Sequence, residues 1–367
     1  MNMMLAHISD THLGYAQYGL SEREEDIYEA FREAFGKAFE ERVEVIVHSG
    51  DFFHTPRPPI RALKVAQDVL REARDRGVRV YAVPGSHDML KRRGVTPLVL
   101  YEHLGLRVLT SRNPCDEFGG VLFAGFEHVP RYRAERAMDL LAELGSRAAD
   151  YRRSVLVMHQ GLDIAHPIAY EFRAAHLPRG FTYYAMGHIH RRMVREVEGM
   201  TIAYAGSTEI LEVGEIGGYE TEGKGFYLVD LSGDSPDVQG VDLECVRPQV
   251  VVGEEAAPKL LQGGFPKPPV VHLRVADPSR PATVRLVEAL KKRCLHVRVI
   301  PIVGDAEEGT APPEPVRLED LLVRELGAEV GAFAGRLVDF LSSGSVEEAI
   351  REAEEFFRSG RWRGAKL

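Results

Sequence analysis

The sequence has little cysteine and no long apolar run. Its 367 residues include three widely spaced cysteines, Cys115, Cys245 and Cys294, so neither a disulfide framework nor a CxxC metal or redox motif is available. No apolar segment approaches the roughly 18 residues that cross a bilayer. The first apolar run, Met4–Ser9, also lacks the charged-then-apolar layout of a signal peptide. We therefore expect a soluble cytoplasmic protein in a reducing environment.

Basic residues are outnumbered, and the formal net charge is −9, with 46 Lys and Arg against 55 Asp and Glu. Taken as an average, this charge argues against a polyanionic partner such as nucleic acid. The charge is unevenly spread, however, because residues 304–357 hold fourteen acids and four bases, whereas Arg57–Arg93 holds ten bases and four acids. The body of the chain is therefore locally basic and remains compatible with a nucleic-acid partner.

One pattern recurs through residues 1–230: a short apolar run ends in a cluster of Asp, His and Gly. The runs are Met4–Ser9, Val43–Ser49, Val78–Pro84, Ser154–Met158 and Tyr183–Met186. Unbroken apolar runs are typical of buried strands. Helical patterns lie between several of them, at about Glu22–Glu41 after the capping box Ser21-Glu-Arg-Glu24 and at about Pro59–Arg76 before Gly77. The sequence predicts an α/β fold with its polar loops at the carboxyl ends of the strands, where such sheets bind ligands.

The rest of the chain predicts further segments after a first domain that spans residues 1–262. A strand, a helix and a strand form a small α/β domain over residues 263–303, at Val270–Val275, about Pro281–Arg293 and His296–Ile302. Residues 304–316 are acidic and proline-rich, a composition typical of a linker. Residues 317–367 contain two amphipathic helix patterns, the second of them opened by the capping box Ser345-Val-Glu-Glu348.

The strand ends share Asp and His side chains, which are ligands for divalent first-row metals. Any one pair is an ordinary surface feature, but the set indicates a metal centre: Asp10-Thr-His12, Asp51-Phe-Phe-His54, His87-Asp88, His159 and His188-Ile-His190. Mixed carboxylate and imidazole ligands without thiolate suit Mn, Fe or Zn in a catalytic site. The ligands are too many for one ion, and a carboxylate such as Asp51 can bridge two. A two-metal site activates water for in-line attack at phosphorus, so the predicted chemistry is phosphoester hydrolysis.

These motifs, in this order, resemble the calcineurin-like metallophosphoesterase superfamily. Within it, five segments closely resemble the archaeal Mre-eleven nuclease family, which processes DNA double-strand breaks: Asp10–Tyr18, Arg23–Asp26, Asp51–His54, Met158–Gly161 and Tyr183–His190. The resemblance is strong over residues 4–250, and the later segments match only in order and size. It implies a metallophosphoesterase β-sandwich flanked by helices, a small α/β DNA-capping domain and a helical tail. The implied activity is that of a manganese-dependent DNA exonuclease and endonuclease.

The resemblance also implies roles for single residues. One of two divalent ions, most simply manganese, is then held by Asp10, His12, Asp51 and His190, and the other by Asp51, position 86, His159 and His188. His87 stabilises the transition state or protonates the leaving oxygen, and Asp88 orients its imidazole. His54 supports the exonuclease geometry near the scissile phosphate.

Ser86 departs from the family pattern, which has Asn at this position. A serine hydroxyl is shorter and a poorer neutral ligand than a carboxamide oxygen, so we expect water to complete the coordination of the second metal. The whole chain has only two asparagines, Asn2 and Asn113. Tolerated drift, adaptation against deamidation and an engineered change are all compatible with the serine.

Cationic side chains lie close to the motif loops, at Lys91, Arg92, Arg93, Arg131, Arg133 and Arg191. Cations in such positions predict contacts with a phosphate backbone. Because no base-reading motif is present, we expect recognition of DNA ends without sequence specificity. Two alternatives remain, a catalytically weak DNA-end scaffold and a general metallophosphoesterase.

The sequence has no G-x-x-x-x-G-K-[ST] phosphate loop, so coupled ATP hydrolysis requires another chain. The resemblance implies such a partner, a Rad-fifty-like ABC-type ATPase, and a homodimer. The C-terminal helices are a plausible helix-in-groove element for docking the ATPase. Packing of these helices on the chain's own body is the alternative.

Overall fold

The computed structural model describes residues 3–89, 95–166, 168–302, 330–331, 333–337 and 346–359. The chain divides into two units, Met1–Ile302 and Val303–Leu367. Within the described ranges, no helix has both the length and the apolar character needed to cross a membrane.

The described part of the first unit contains two six-stranded sheets and one three-stranded sheet. In chain order the strands are β1 (Met4–Ile8), β2 (Val45–His48), β3 (Arg79–Ala82), β4 (Leu106–Val108), β5 (Cys115–Phe118), β6 (Val121–Phe126), β7 (Arg153–His159), β8 (Tyr183–Gly187), β9 (Met193–Val197), β10 (Met200–Tyr204), β11 (Gly225–Asp230), β12 (Asp237–Asp242), β13 (Gln249–Gly253), β14 (Val270–Val275) and β15 (His296–Pro301). The α-helices are α1 (Ser21–Glu40), α2 (Ile60–Asp75), α3 (Glu135–Ala148), α4 (Ile216–Glu222) and α5 (Pro281–Lys291).

The two large sheets pack face to face as a sandwich. Their strand orders are β12-β11-β1-β2-β3-β4 and β5-β6-β7-β8-β10-β9. Alternate residues of each strand point to opposite faces, so Leu5 and Val47 meet Phe123 and Val157 between the sheets, while Ile8 packs outward among side chains of α1 and α2. Side chains of α3 cover the outer face of the second sheet. This architecture confirms the predicted β-sandwich flanked by helices.

The parallel strands bring their carboxyl ends to one edge of each sheet. β1, β2, β3 and β4 are parallel neighbours in the first sheet, and β6, β7, β8 and β10 are parallel neighbours in the second. The loops after β1, β2, β3, β7 and β8 carry the motif residues, so the topology collects them.

The predicted capping box of α1 is wrong. Ser21 is the first residue inside the helix, Leu20 precedes it as the N-cap, and the Ser21 hydroxyl donates to the carboxylate of Glu22 at 3.0 Å. The end predicted for α2 agrees with the structure. Gly77 has a φ of +76°, and its N–H donates to the carbonyl oxygen of Arg74 at 2.9 Å.

The small α/β sheet contains β14 and β15, joined by α5, close to the predicted bounds. It also contains a third strand, β13, which pairs in parallel with β14. β13 precedes residue 263, so the sheet begins inside the range predicted for the first domain. Val250 and Val252 of β13 pack against the apolar cluster around Leu273, and this burial explains why the strand belongs to the small sheet.

A buried ionic network joins the small sheet to the sandwich. Asp26 on α1 is 1% exposed and lies 2.7 Å from Nη1 of Arg23. Its carboxylate also accepts hydrogen bonds from Nε and Nη2 of Arg247, at 2.5 and 2.9 Å, and lies 3.1 Å from Nζ of Lys267. Arg247 and Lys267 lie on either side of β13 in sequence, so this one carboxylate anchors both segments that lead into the small sheet.

In the second unit, residues 330–331, 333–337 and α6 (Val346–Ser359) are helical. The rings of Phe333 and Phe356 stack with their centroids 3.8 Å apart, so the two helices meet through apolar side chains. The predicted linker at 304–316 and the capping residue Ser345 lie outside the described residues.

Candidate metal centre

The loops that follow β1 and β2 are hydrogen-bonded to each other through their backbones. The N–H of Asp10 donates to the carbonyl oxygen of Gly50 at 3.1 Å, and the N–H of His12 donates to that of Asp51 at 3.0 Å. Two motifs that are about forty residues apart in sequence are therefore fixed side by side.

Glycines allow the motif loops to approach the site closely. Gly50 has a φ of +98°, and a Cβ there would lie 2.4 Å from Nδ1 of His159. At Gly85, a Cβ would lie 2.2 Å from both the backbone nitrogen and Oδ1 of Asp51. Larger residues at either position would push the His159 or Asp51 side chain away from its neighbours.

Four residues of the motifs have left-handed backbone conformations. The φ values are +49° at Asp10, +45° at His12, +49° at Asp51 and +87° at His188. Asp and His tolerate this region better than most residues, yet such conformations still cost on the order of 1–3 kcal/mol each and concentrate at functional sites. The fold therefore maintains local strain at this edge of the sheets.

A first group of ligand atoms comes from Asp10, His12 and His190, all within 4.8 Å of one another. Nε2 of His190 lies 3.3 Å from Nε2 of His12 and 3.9 Å from Oδ1 of Asp10. Oδ2 of Asp51 lies 3.7 Å from Nε2 of His12. The four residues predicted for one metal are thus adjacent.

Asp51, His159 and His188 form a second group, again with ligand atoms within 4.8 Å. Oδ2 of Asp51 lies 3.2 Å from Nε2 of His159, and the Ser86 hydroxyl lies 3.5 Å from the same oxygen. The residues predicted for the other metal are therefore also adjacent, and Asp51 stands between the groups. Together the two groups form a candidate two-metal centre.

His159 tests whether these residues fit a metal. Its Nδ1 lies 2.9 Å from the carbonyl oxygen of Ser49, to which an Nδ1–H donates. Its Nε2 is buried, makes no hydrogen bond of normal geometry among the described residues, and lies 3.2 Å from Oδ2 of Asp51. A buried nitrogen beside carboxylates requires a cation, either a proton or a metal ion, and a deprotonated imidazole nitrogen in this position is a typical metal ligand. The residues therefore fit a divalent cation.

The electrostatics of the site favour added positive charge. Burial opposes protonation of His159, but the carboxylates of Asp51 and Asp10 outweigh this effect and raise its pKa to about 9. Burial lowers the pKa of His12 well below its usual value and lowers that of His188 to about 3. These two imidazoles are neutral at physiological pH, which is the form that binds metal.

The predicted catalytic histidines lie on the open side of the centre. His87 is exposed, its backbone N–H donates to Oδ1 of Asp51 at 2.8 Å, and its Nδ1 lies 2.9 Å from the carbonyl oxygen of His54. Nδ1 of His54 lies 3.2 Å from Nδ1 of His12, and the ring of Tyr15 stacks on His54 with centroids 4.1 Å apart.

Asp88 differs from its prediction. Its fully buried carboxylate accepts hydrogen bonds at 2.8–3.1 Å from three backbone N–H groups, those of Phe52, Phe53 and Gly85. The carbonyl of His54 faces the His87 imidazole instead, so the prediction that Asp88 orients that ring is wrong. Side chains of consecutive residues diverge, and the carboxylate of Asp88 turns inward to hold together the loops after β2 and β3.

Sequence reasoning missed Glu215. Its Oε1 lies 2.9 Å from Nδ1 of His190, and its Oε2 is paired with Lys224, which also donates to the His190 carbonyl oxygen at 2.9 Å. Burial alone would raise the pKa of Glu215, but the hydrogen bond from His190 and the charge of Lys224 lower it to about 2. Glu215 therefore orients His190, and nothing in the motif spacing marks it.

His128 and Glu171 were also missed. Nδ1 of His128 lies 3.0 Å from the carbonyl oxygen of His159. Oε1 of Glu171 lies 3.7 Å from Nε2 of His188, and its other oxygen accepts a hydrogen bond from the N–H of Gly161 at 2.6 Å. Both side chains border the second ligand group.

The predicted DNA contacts have different surroundings. Lys91, Arg92 and Arg93 lie outside the described residues. Arg131 and Arg133 are exposed on a turn three residues after His128, and each guanidinium lies over a tyrosine ring, that of Tyr170 at 4.6 Å and that of Tyr132 at 5.3 Å. Arg191 is exposed but ion-paired with Glu222, so its charge is partly compensated.

Comparison with known proteins identifies the family. Residues 3–192 match the family described as calcineurin-like phosphoesterase. The DNA double-strand break repair protein Mre11 of Methanocaldococcus jannaschii is 36% identical over 336 residues, 88% of this chain and 88% of that protein. The Mre11 proteins of Methanococcus maripaludis and Methanopyrus kandleri are 37% and 32% identical, covering 66% and 87% of this chain and 68% and 75% of those proteins. The predicted resemblance and enzyme class, a metal-dependent phosphodiesterase, are confirmed. The chain belongs to the Mre11 family of DNA double-strand break repair proteins, within the calcineurin-like phosphoesterases.

Proposed function

We propose that this chain is a manganese-dependent nuclease that hydrolyses phosphodiesters at DNA ends, as exonuclease and endonuclease, during double-strand-break repair. The position of Asp51 supports the proposal most directly. Its carboxylate lies 3.7 Å from His12 of one ligand group and 3.2 Å from His159 of the other, as a bridging ligand requires. Mixed imidazole and carboxylate ligands favour manganese over magnesium, which prefers more oxygen.

Each group of residues has a task in this reaction. Two bound ions would activate water and stabilise the attacking and leaving oxygens. The residues that would hold them are Asp10, His12, Asp51, Ser86, His159, His188 and His190. His87, exposed beside Asp51, would stabilise the phosphorane-like transition state or protonate the leaving oxygen. His54 orients the His87 ring through its carbonyl oxygen. Asp88 holds the loops that carry Asp51, His54 and His87.

The substrate is proposed to be DNA, bound through its backbone and ends. A groove of about 500 Å³ is lined in part by His188, His190 and Glu215. Arg131 and Arg133 offer exposed charge on the turn that follows His128, and Lys91, Arg92, Arg93 and Arg191 complete the proposed contacts. Because such contacts release counterions, raising salt should weaken DNA binding steeply, and a flat response would contradict them.

A nuclease assay tests the function. Labelled double-stranded DNA incubated with the protein and manganese should be shortened, and His87→Ala should prevent this. Activity on bis(p-nitrophenyl) phosphate with none on DNA would identify a general phosphoesterase instead. DNA-end binding without cleavage of either substrate would identify a scaffold, the alternative that Ser86 favours because a serine hydroxyl is a poorer neutral ligand than a carboxamide oxygen.

We also propose a cytoplasmic homodimer that associates with a Rad-fifty-like ABC-type ATPase through its C-terminal helices. In the second unit, Ile350 and Phe357 are 55% and 59% exposed, and this apolar surface is compatible with a helix-in-groove contact. Deleting residues 305–367 should leave nuclease chemistry intact and abolish ATPase association. Association that survives the deletion would refute the docking role.

A further inference from the structure

We propose a third metal position, formed by the imidazoles of His12, His54 and His87, that takes zinc-type ions and blocks the site when filled. The cluster lies on the open side of the two ligand groups already described. The existence of this position does not depend on the proposed function, but its inhibitory effect rests on that function.

The spacing of the ring nitrogens supports such a position. The three residues offer nitrogen atoms that all lie within 4.8 Å of one another. Nδ1 of His12 and Nδ1 of His54 are 3.2 Å apart, and two nitrogens bound at 2.0–2.1 Å to a tetrahedral zinc ion are about 3.4 Å apart. These two rings therefore already have nearly the separation that zinc requires.

The third imidazole can complete the set. The His87 ring centroid lies 4.9 Å from that of His12 and 5.0 Å from that of His54. His87 is exposed, so its ring can turn toward the other two once its Nδ1 gives up the 2.9 Å contact with the His54 carbonyl oxygen. The exposed side leaves room for water as a fourth ligand, as in open zinc sites.

His12 belongs both to the first ligand group and to the proposed third metal position, and it contributes a different ring nitrogen to each. Its Nε2 faces His190 at 3.3 Å and Asp51 at 3.7 Å, whereas its Nδ1 faces His54. An ion at the third position would take the place of the proton that the two Nδ1 atoms share, and that proton would pass to solvent. The His12 ring would then bridge the third ion and the first ligand group.

The ligand set determines which ions enter. Three imidazoles without a carboxylate suit zinc, copper, nickel and cobalt, whereas manganese and magnesium prefer oxygen ligands. Manganese should therefore fill only the two mixed groups, while zinc should fill these and the third position. An ion held by His54 and His87 withdraws both side chains from the substrate, so zinc should inhibit the manganese-dependent nuclease.

Counting bound ions tests the inference without an activity measurement. The full-length protein is saturated with zinc, or separately with manganese, desalted and analysed for metal content. We expect three zinc ions but two manganese ions per chain in the wild type, and loss of one zinc ion in both His54→Ala and His87→Ala. The exposed His103→Ala serves as the matched control and should retain three, because His103 contacts only the Leu100 carbonyl oxygen among described hydrogen bonds.

Two further measurements make the test decisive. Unfolding curves confirm that each variant is folded, and the integrated electron paramagnetic resonance signal of bound Cu²⁺ should fall by one ion per chain in both variants. Two zinc ions in the wild type, or an equal zinc count in wild type and variants, would overturn the third position. A protein that binds three zinc ions but does not cut DNA with manganese would instead overturn the proposed function.

Discussion

The two ring nitrogens of His159 face different partners: Nδ1 lies 2.9 Å from the carbonyl oxygen of Ser49, and Nε2 lies 3.2 Å from Oδ2 of Asp51. The backbone of one sheet therefore fixes the tautomer of a side chain supplied by the other. Because β2 and β7 are rigid strands, the nitrogen that faces Asp51 is held in place before any ion arrives.

Replacing His159 should remove one ion. His159→Asn lacks a nitrogen that reaches Asp51, so the manganese content should fall from two ions per chain to one. Nuclease activity should fall by more than about 100-fold, because even a residue that only orients a ligand is worth 10–100-fold. The exposed His176→Asn is the control, and two retained ions in His159→Asn would contradict the assignment.

Ser86→Asn should strengthen the second metal site. The longer carboxamide places a better neutral oxygen ligand beside Asp51, in the family's usual position. We expect higher nuclease activity, or a lower manganese concentration for half-maximal activity, in a manganese titration. Ser235→Asn, at an exposed position, controls for the added amide. A titration curve identical to that of the wild type would show that having Ser86 in place of the family's asparagine does not affect the use of manganese.

Glu215→Gln should weaken the first metal site although Glu215 is not proposed as a ligand. The amide keeps the shape but loses the charge that holds His190 and Lys224. Manganese affinity of one site should fall 10–100-fold, as is typical when the partner of a ligating histidine is lost. Calorimetric titration measures this, with the exposed Glu220→Gln as control. Equal affinities in both variants would mean that Glu215 has only a structural role.

Asp26→Asn should destabilise the protein strongly. It leaves the positive charges of Arg23 and Arg247 in a buried site with one partner fewer, and breaking a buried ion pair in this way costs about 3–5 kcal/mol. Asp68→Asn, which breaks an exposed pair with Lys64, should cost no more than about 1 kcal/mol. Urea unfolding followed by circular dichroism compares the two variants, and equal losses would contradict the role given to Asp26.

The stabilisation from Asp26 should depend on pH. Burial alone would raise the pKa of Asp26, but hydrogen bonds and positive charge from Arg247 and Arg23 hold it below its usual value. A lowered pKa contributes stability that is complete above the unfolded value of about 3.9 and is lost as pH falls through the folded value. The difference in unfolding free energy between wild type and Asp26→Asn should therefore be constant near neutral pH and shrink below about pH 4. A difference in unfolding free energy that grows in acid would contradict a lowered pKa for Asp26.

The sequence predicted best those features that follow from the order of the strands and from local apolar patterns. Asp10, Asp51, His159 and His188 follow apolar runs, and parallel strands necessarily bring such ends to one edge, so their convergence could be predicted. The strand Val270–Val275 also has the predicted bounds, because its residues are mostly apolar and Pro269 and Asp277 border the run.

The residues that orient the ligands could not be predicted. Glu215 reaches His190 across 25 positions, and the carbonyl of Ser49 reaches His159 across 110. Such contacts depend on how loops pack, and neither periodicity nor motif spacing encodes that packing. The start of α1 could not be predicted from local sequence either. The capping pattern makes Ser21 the N-cap, but the helix already includes Ser21 and begins one residue earlier than predicted.

The left-handed backbone at Asp10, His12, Asp51 and His188 bears on how the working ion is chosen. Because the conformational cost of shaping the site is met when the chain folds, an arriving ion has little ordering to do. Exchange of one ion for another then needs no rearrangement of the loops. The choice among ions is then left to the chemistry of the ligand atoms and not to any movement of the chain.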